Sequence, residues 1–152
     1  MLASSSHRSR AGVTLVEALI AIAILGILIG ALSPVVSRQI THSRVNNAAR
    51  TVAADLESAL SLAGRQRRPV RVTVDPGQRS VVIADRASGQ VIVQHGYGAL
   101  SEYKLETLSG APAVVDILPQ GMATSATTVT IGIGSYSRLV TLTRGGVVRV
   151  QP

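Results

Sequence analysis

The stretch GVTLVEALIAIAILGILIGALSP, residues 12–34, decides how the rest of the chain is read. It is a long apolar run that nevertheless carries a carboxylate, Glu17, near its start. From Ala18 to Ser37 there are 20 residues without a charge. At about 1.5 Å per helical residue they span roughly 30 Å, the thickness of a bilayer core. A helix apolar on every side is hard to cover within a chain of 152 residues, so residues 13–36 read as a membrane span rather than as a core helix. Residues 1–11, MLASSSHRSRA, are polar and basic, like a targeting n-region. An ordinary secretory signal shares that layout, but it would be cut near Ala31 to Pro34, and nothing would oblige the next segment to stay helical.

The segment after Pro34 does keep a helical period. Val45, Ala48, Ala49, Val52, Leu56, Ala59, Leu60 and Ala63 recur at steps of three and four. Arg44, Asn47, Arg50, Thr51, Asp55 and Ser58 fall mostly on the other side. Residues 37–64 are therefore expected to be the amphipathic half of one helix, closed by Gly64 as C-cap and by Pro69 as a stop. A helix from Val13 to Ala63 would be about 75 Å long, too long for one small domain, so its first half must project. Pro34 is then a bend in that helix, although a proline just past a span also serves as its end.

After Gly64 the period shortens to 2, and residues 65–152 read as a β domain. The runs PVRVTV (69–74), SVVIA (80–84), VIVQ (91–94), AVVDI (113–117), TVTIGI (128–133), RLVTLT (138–143) and VVRV (147–150) are β-branched and separated by turn residues. Asp75-Pro76-Gly77 suits a β-turn and Gly145-Gly146 a two-residue hairpin. Residues 95–112 read as a loop. The expected class is α+β, a long N-terminal helix packed on an antiparallel sheet of about seven short strands.

Composition narrows the chemistry. With no cysteine there is no disulfide, thiol nucleophile or thiolate zinc site. Fifteen Lys and Arg against eight Asp and Glu give +7, which permits anionic partners without naming one. His7, His42 and His95 share no metal-ligand spacing. Ser101, Glu102 and Asp116 make no nucleophile–base pattern, and the glycine-rich GIGSYSR (132–138) lacks a strand-to-helix phosphate-loop context and reads as a turn. No catalytic residue, metal or cofactor is expected.

Gly12-Val13-Thr14-Leu15-Val16-Glu17 and the apolar run after it resemble the type III signal of type IV pilins and type II secretion pseudopilins. The resemblance implies that a prepilin peptidase cuts between Gly12 and Val13, leaving residues 1–12 as a leader, and that the new Val13 amino terminus is methylated. The family usually has Phe where this chain has Val13. Glu17 then takes the fifth mature position. The resemblance implies that it faces the terminal ammonium of a neighbouring subunit, where an unpaired buried charge would be costly and partner and register are thereby selected. Pro34 falls at the twenty-second mature position, where many members have a helix-bending proline.

The segments GRQRRPVRVTVDP (64–76), DILPQGMATSATTVTI (116–131) and SRLVTLTRGGVVRV (137–150) are similar to the GspH/FimT-like minor pseudopilins. The implied role is a minor subunit of a type II secretion pseudopilus that helps protein export. Its implied partners are the prepilin peptidase, other pseudopilins or pilins, and inner-membrane lipid. The same resemblance implies a bacterial inner-membrane protein with a cytoplasmic N-terminus and an external C-terminal domain. Charge alone does not settle that topology, because Arg8 and Arg10 precede the span and Arg38, Arg44 and Arg50 follow it. The alternative is a FimT-like minor pilin that binds DNA for uptake. Arg65, Arg67 and Arg68, with Arg71, would form one basic cluster and Arg138, Arg144 and Arg149 another.

Overall fold

A change of surface character along one long helix organises the molecule. The computed structural model describes residues 14–151, apart from the side chains of 31–35. The helix, α1, runs Leu15–Gln66, and the chain divides into two compact units, Met1–Arg38 and Gln39–Pro152.

In the first unit every Leu, Ile and Val between Leu15 and Ile29 is at least 52% exposed. Among the described residues no helix is long and apolar enough to cross a membrane. The span expected over 13–36 includes Val13 and the side chains of 31–35, which lie outside the described residues. The leader 1–12, the Gly12–Val13 bond and the side chain of Pro34, with its expected bend, lie outside them too.

In the second unit α1 behaves as its period requires. Val45, Ala48, Ala49, Val52, Leu56, Ala59 and Ala63 are buried, and Leu60 packs half-buried against them. Four alanines among these residues give the helix a thin face, which lets strand side chains approach its backbone closely. The helix passes the expected stop at Gly64. It ends at Gln66, and the left-handed position beyond its end is taken by Arg67, at φ 52°.

Eight strands follow among the described residues: β1 Val70–Asp75, β2 Ser80–Asp85, β3 Val91–Gly96, β4 Thr107–Ala111, β5 Val114–Ile117, β6 Thr127–Ile133, β7 Tyr136–Leu142 and β8 Val148–Gln151. They form two antiparallel four-stranded sheets, ordered β3-β2-β1-β5 and β4-β6-β7-β8. Period alone gives about seven strands and leaves β4 within the 95–112 loop. TLSGA is small and polar, a poor strand by propensity, and pairing with β6 gives it that conformation. A β-carbon at Gly110 would lie 3.0 Å from the Val74 side chain and 3.2 Å from the Ala113 backbone, so a bare backbone is needed there. The β4–β5 connection joins the sheets, with Val74 N–H donating to the Ala113 carbonyl at 2.8 Å.

The turns follow local chemistry. Asp75 Oδ1 accepts from the Gly77 and Gln78 amides, and Asp85 Oδ1 from the Ala87 and Ser88 amides. Bonds from the Ser88 amide and hydroxyl hold the Asp85 carboxyl below its ordinary range. Both loops finish on a left-handed residue, Arg79 at φ 48° and Gly89 at φ 71°. Gly145-Gly146 is not the expected two-residue hairpin. The Gly146 amide donates to the Thr143 carbonyl and the Thr143 amide to the Val147 carbonyl, a three-residue loop with Gly146 at φ 77°. The two-residue turn is Gly134-Ser135, between the paired Ile133 and Tyr136, so the GIGSYSR segment is a strand–turn–strand.

Candidate functional site

The N-terminal motif enters the described structure at Thr14. Its hydroxyl accepts the Glu17 amide at 3.2 Å and its carbonyl accepts the Ala18 amide at 3.1 Å, so Thr14 caps α1. The Thr14-x-x-Glu17 spacing suits a capping box, and a carboxylate in the first turn is favoured by the helix dipole. Glu17 is exposed, and the described part of α1 beyond it presents an exposed apolar surface that water does not stabilise.

The second half of α1 is fastened to the β domain by polar groups, two of which, Thr51 and Asp55, periodicity places on the solvent side. Asp55 was assigned to the solvent face, but it is only 5% exposed. Tyr97 O–H donates to Asp55 Oδ2 at 2.5 Å, and the His95 ring sits on Oδ1 at 2.7 Å. Burial pushes the Tyr97 phenol far above the usual tyrosine range, and the Asp55 carboxylate that accepts its proton adds to this. One turn earlier the Thr51 and Tyr103 hydroxyls lie 3.1 Å apart. Nearer the start of this unit the His42 ring stacks on Tyr136 with centroids 3.9 Å apart. Asn46 Oδ1 accepts from both Tyr136 O–H, at 3.2 Å, and Arg138 Nε, at 2.9 Å. All three tyrosines thus anchor the helix, a use that their sparse number hid. His42 and His95 are held by a ring and a carboxylate, and among the described residues no His, Cys, Asp or Glu group could hold a metal.

The arginines singled out from sequence separate into four environments. Arg65 is in the last turn of α1, followed by Arg67 and Arg68, all exposed. A β-carbon on Gly64 would touch the Pro119 carbonyl at 3.8 Å, and one on Gly146 would run into the Gly121 carbonyl and approach Leu60. The helix end, the 119–121 turn and the 143–147 turn therefore meet, which brings Arg144 to the same end of the unit as Arg65. Arg149 lies on the opposite face of β8 from Val148 and Val150, whose partners Leu142 and Val140 are buried. Arg138 shares the face of Val140 and turns toward the helix, away from the other two. Arg71 is withdrawn from the basic cluster altogether. It grips Asp116 with two hydrogen bonds, at 2.7 and 3.1 Å, and Arg86 adds an ion pair at 3.0 Å. These pairs hold the Asp116 carboxyl below its ordinary range, Arg71 most strongly.

The fold is similar to known filament subunits. The type IV minor pilin FimU of Pseudomonas aeruginosa PAO1 superimposes with a TM-score of 0.59 at 21% identity, over 73% of this chain and 90% of that one. A second crystal form of FimU gives 0.56, also at 21% identity, over 70% and 92%. The minor pseudopilin EpsH from the type 2 secretion system of Vibrio cholerae gives 0.53 at 17%, over 70% and 95%. No curated protein sequence matches the chain. The prokaryotic N-terminal methylation motif matches residues 7–33, and the family described as type II transport protein GspH matches residues 48–146. The motif ends inside the apolar half of α1, and the family match begins within its amphipathic half and ends in the 143–147 turn; this chain belongs to the GspH family.

Proposed function

We propose that the chain is a minor pseudopilin of a type II secretion pseudopilus, a structural subunit that catalyses no reaction. The observation that carries this reading is that one chain bears both the methylation motif, over 7–33, and the GspH family match, over 48–146, with α1 running from the first into the second. Prepilin peptidase cuts between Gly12 and Val13, and Val13 is methylated. Residues 13–36 anchor the subunit in the inner membrane, N-terminus inside and β domain outside. On extraction from lipid, the apolar half of α1 packs against other subunits, and Glu17 meets the ammonium of a neighbour. A lone carboxylate there would cost several kcal/mol, on the order of a broken buried ion pair, so pairing fixes the register. Pro34 supplies the bend between the membrane half and the packed half.

The reading is tested in the host by deleting the chain and measuring both export and transformation. Export of folded proteins to the medium falls and DNA uptake is unchanged. The reverse pattern would replace the secretion reading with the DNA-uptake one. One observation favours that second reading: Arg65, Arg67, Arg68 and Arg144 stand at one end of the unit, the first three exposed within four residues at the end of α1. It is weakened by Arg138, which the helix engages. Duplex binding that falls steeply with salt, and falls further in Arg144→Gln/Arg149→Gln, would support it.

A further inference from the structure

Beside the helix anchor lies a cleft of about 350 Å³ lined by Asn46, Arg50, Arg138 and Val150. Its polar groups present donors. Arg138 is fixed on two sides: its Nε is spent on Asn46 Oδ1 at 2.9 Å, and its guanidinium carbon stands 5.5 Å from the centroid of the Tyr136 ring. Its terminal nitrogens are left as a preorganised fork. Asn46 Oδ1 already accepts two bonds, from Tyr136 and Arg138, so the amide nitrogen is what Asn46 has left to offer. Arg50 is exposed, and among the described residues neither arginine forms an ion pair. Arg50 also borders a neighbouring cleft that does contain an acid, Glu102. The Asn46 cleft has none. Its fourth wall is apolar, Val150 at 46% exposure, on the free edge of the second sheet.

We propose that this cleft receives an acidic side chain from a neighbouring filament subunit, its carboxylate forked by Arg138, its charge shared with Arg50 and its methylenes against Val150. A bidentate arginine suits a planar carboxylate. A pocket that holds one group between two cations and an apolar wall suits a single side chain, whereas a phosphodiester track needs cations spread along a groove. The proposal deepens the filament reading by giving it a lateral contact. That reading stands or falls on processing at Gly12, independently of this cleft.

The test titrates the full chain in neutral detergent micelles with hexaglutamate, followed by calorimetry, with melting curves for every variant. Hexaglutamate binds the parent chain, and Arg138→Gln and Arg50→Gln each weaken it by about tenfold or more. Arg138→Lys keeps the charge but does not restore the affinity. Arg149→Gln, on the opposite face of β8, leaves it unchanged. The Arg50 side chain makes no hydrogen bond among the described residues, so its variant remains informative if Arg138→Gln melts early. The proposal is overturned if hexaglutamate does not bind or ignores Arg50 and Arg138, or if Arg149→Gln weakens it equally. It is also overturned if phosphatidylglycerol vesicles or a DNA duplex occupy those two arginines in its place.

Discussion

The two halves of α1 are one helix with two kinds of surface. From Leu15 to Ile29 its apolar side chains are exposed all round, whereas from Val45 to Ala63 one alanine- and valine-rich face is buried beneath the strands. The polar residues differ as well. Among the described residues Glu17 has no partner beyond its own helix terminus, while Asp55, Asn46 and Thr51 are each bonded to a side chain on or beside the strands. On the proposed function the first half is a surface completed by other molecules, and the second is a surface completed by its own domain. Substitutions in the two halves should fail in different assays.

The largest expected effect is Glu17→Ala. Cleavage at Gly12 and the melting of the β domain stay as in the parent, while incorporation into filaments, read from the sheared fraction, is lost. Normal incorporation would break the comparison at its first term. Next, Leu56→Ala should lower stability by about 2–5 kcal/mol, because it empties a fully buried position. Leu25→Ala should leave the unfolding midpoint of the β domain unchanged. Gly146→Ala should cost about 2 kcal/mol or more, since φ is 77° and the added carbon meets the Gly121 carbonyl. Asp55→Ala should cost about 1–3 kcal/mol by leaving the buried Tyr97 hydroxyl unpaired, with Asp55→Asn milder. The smallest effect is on acidification. The carboxyls of Asp85 and Asp116 are held below their ordinary range in the folded chain. Their contribution is thus complete above about pH 4 and is lost as pH falls through the lower folded values. Arg71→Gln should shrink the acid-side loss seen in urea titrations at successive pH values.

Much of this was legible in the sequence, because it is local. The apolar run, the three-and-four spacing of 45–63 and the alternation in seven strands each follow from a residue's near neighbours. What stayed hidden depends on partners far along the chain. β4 is a strand because β6 pairs with it, and Gly110 is small because Val74 passes over it. Asp55 looks like a solvent residue until His95 and Tyr97, some 40 residues away, close on it. Arg71 looks like part of a basic cluster until Asp116 pairs with it across the sheet. Arg138 could not be separated from Arg144 and Arg149, since alternation fixes which residues share a face but not which face meets the helix. The helix end was misjudged because Gly64 is the better cap by propensity, yet α1 continues past it to Gln66.

On the proposed function, the first half of α1 serves other molecules once a leader has been removed. Mass analysis of the N-terminus, after co-expression with the cognate prepilin peptidase, tests it most directly. The account requires a species beginning at Val13 that carries one added methyl group and is absent without the peptidase. A species beginning beyond Ala31, or formed equally without the peptidase, would show an ordinary secretory signal and contradict it.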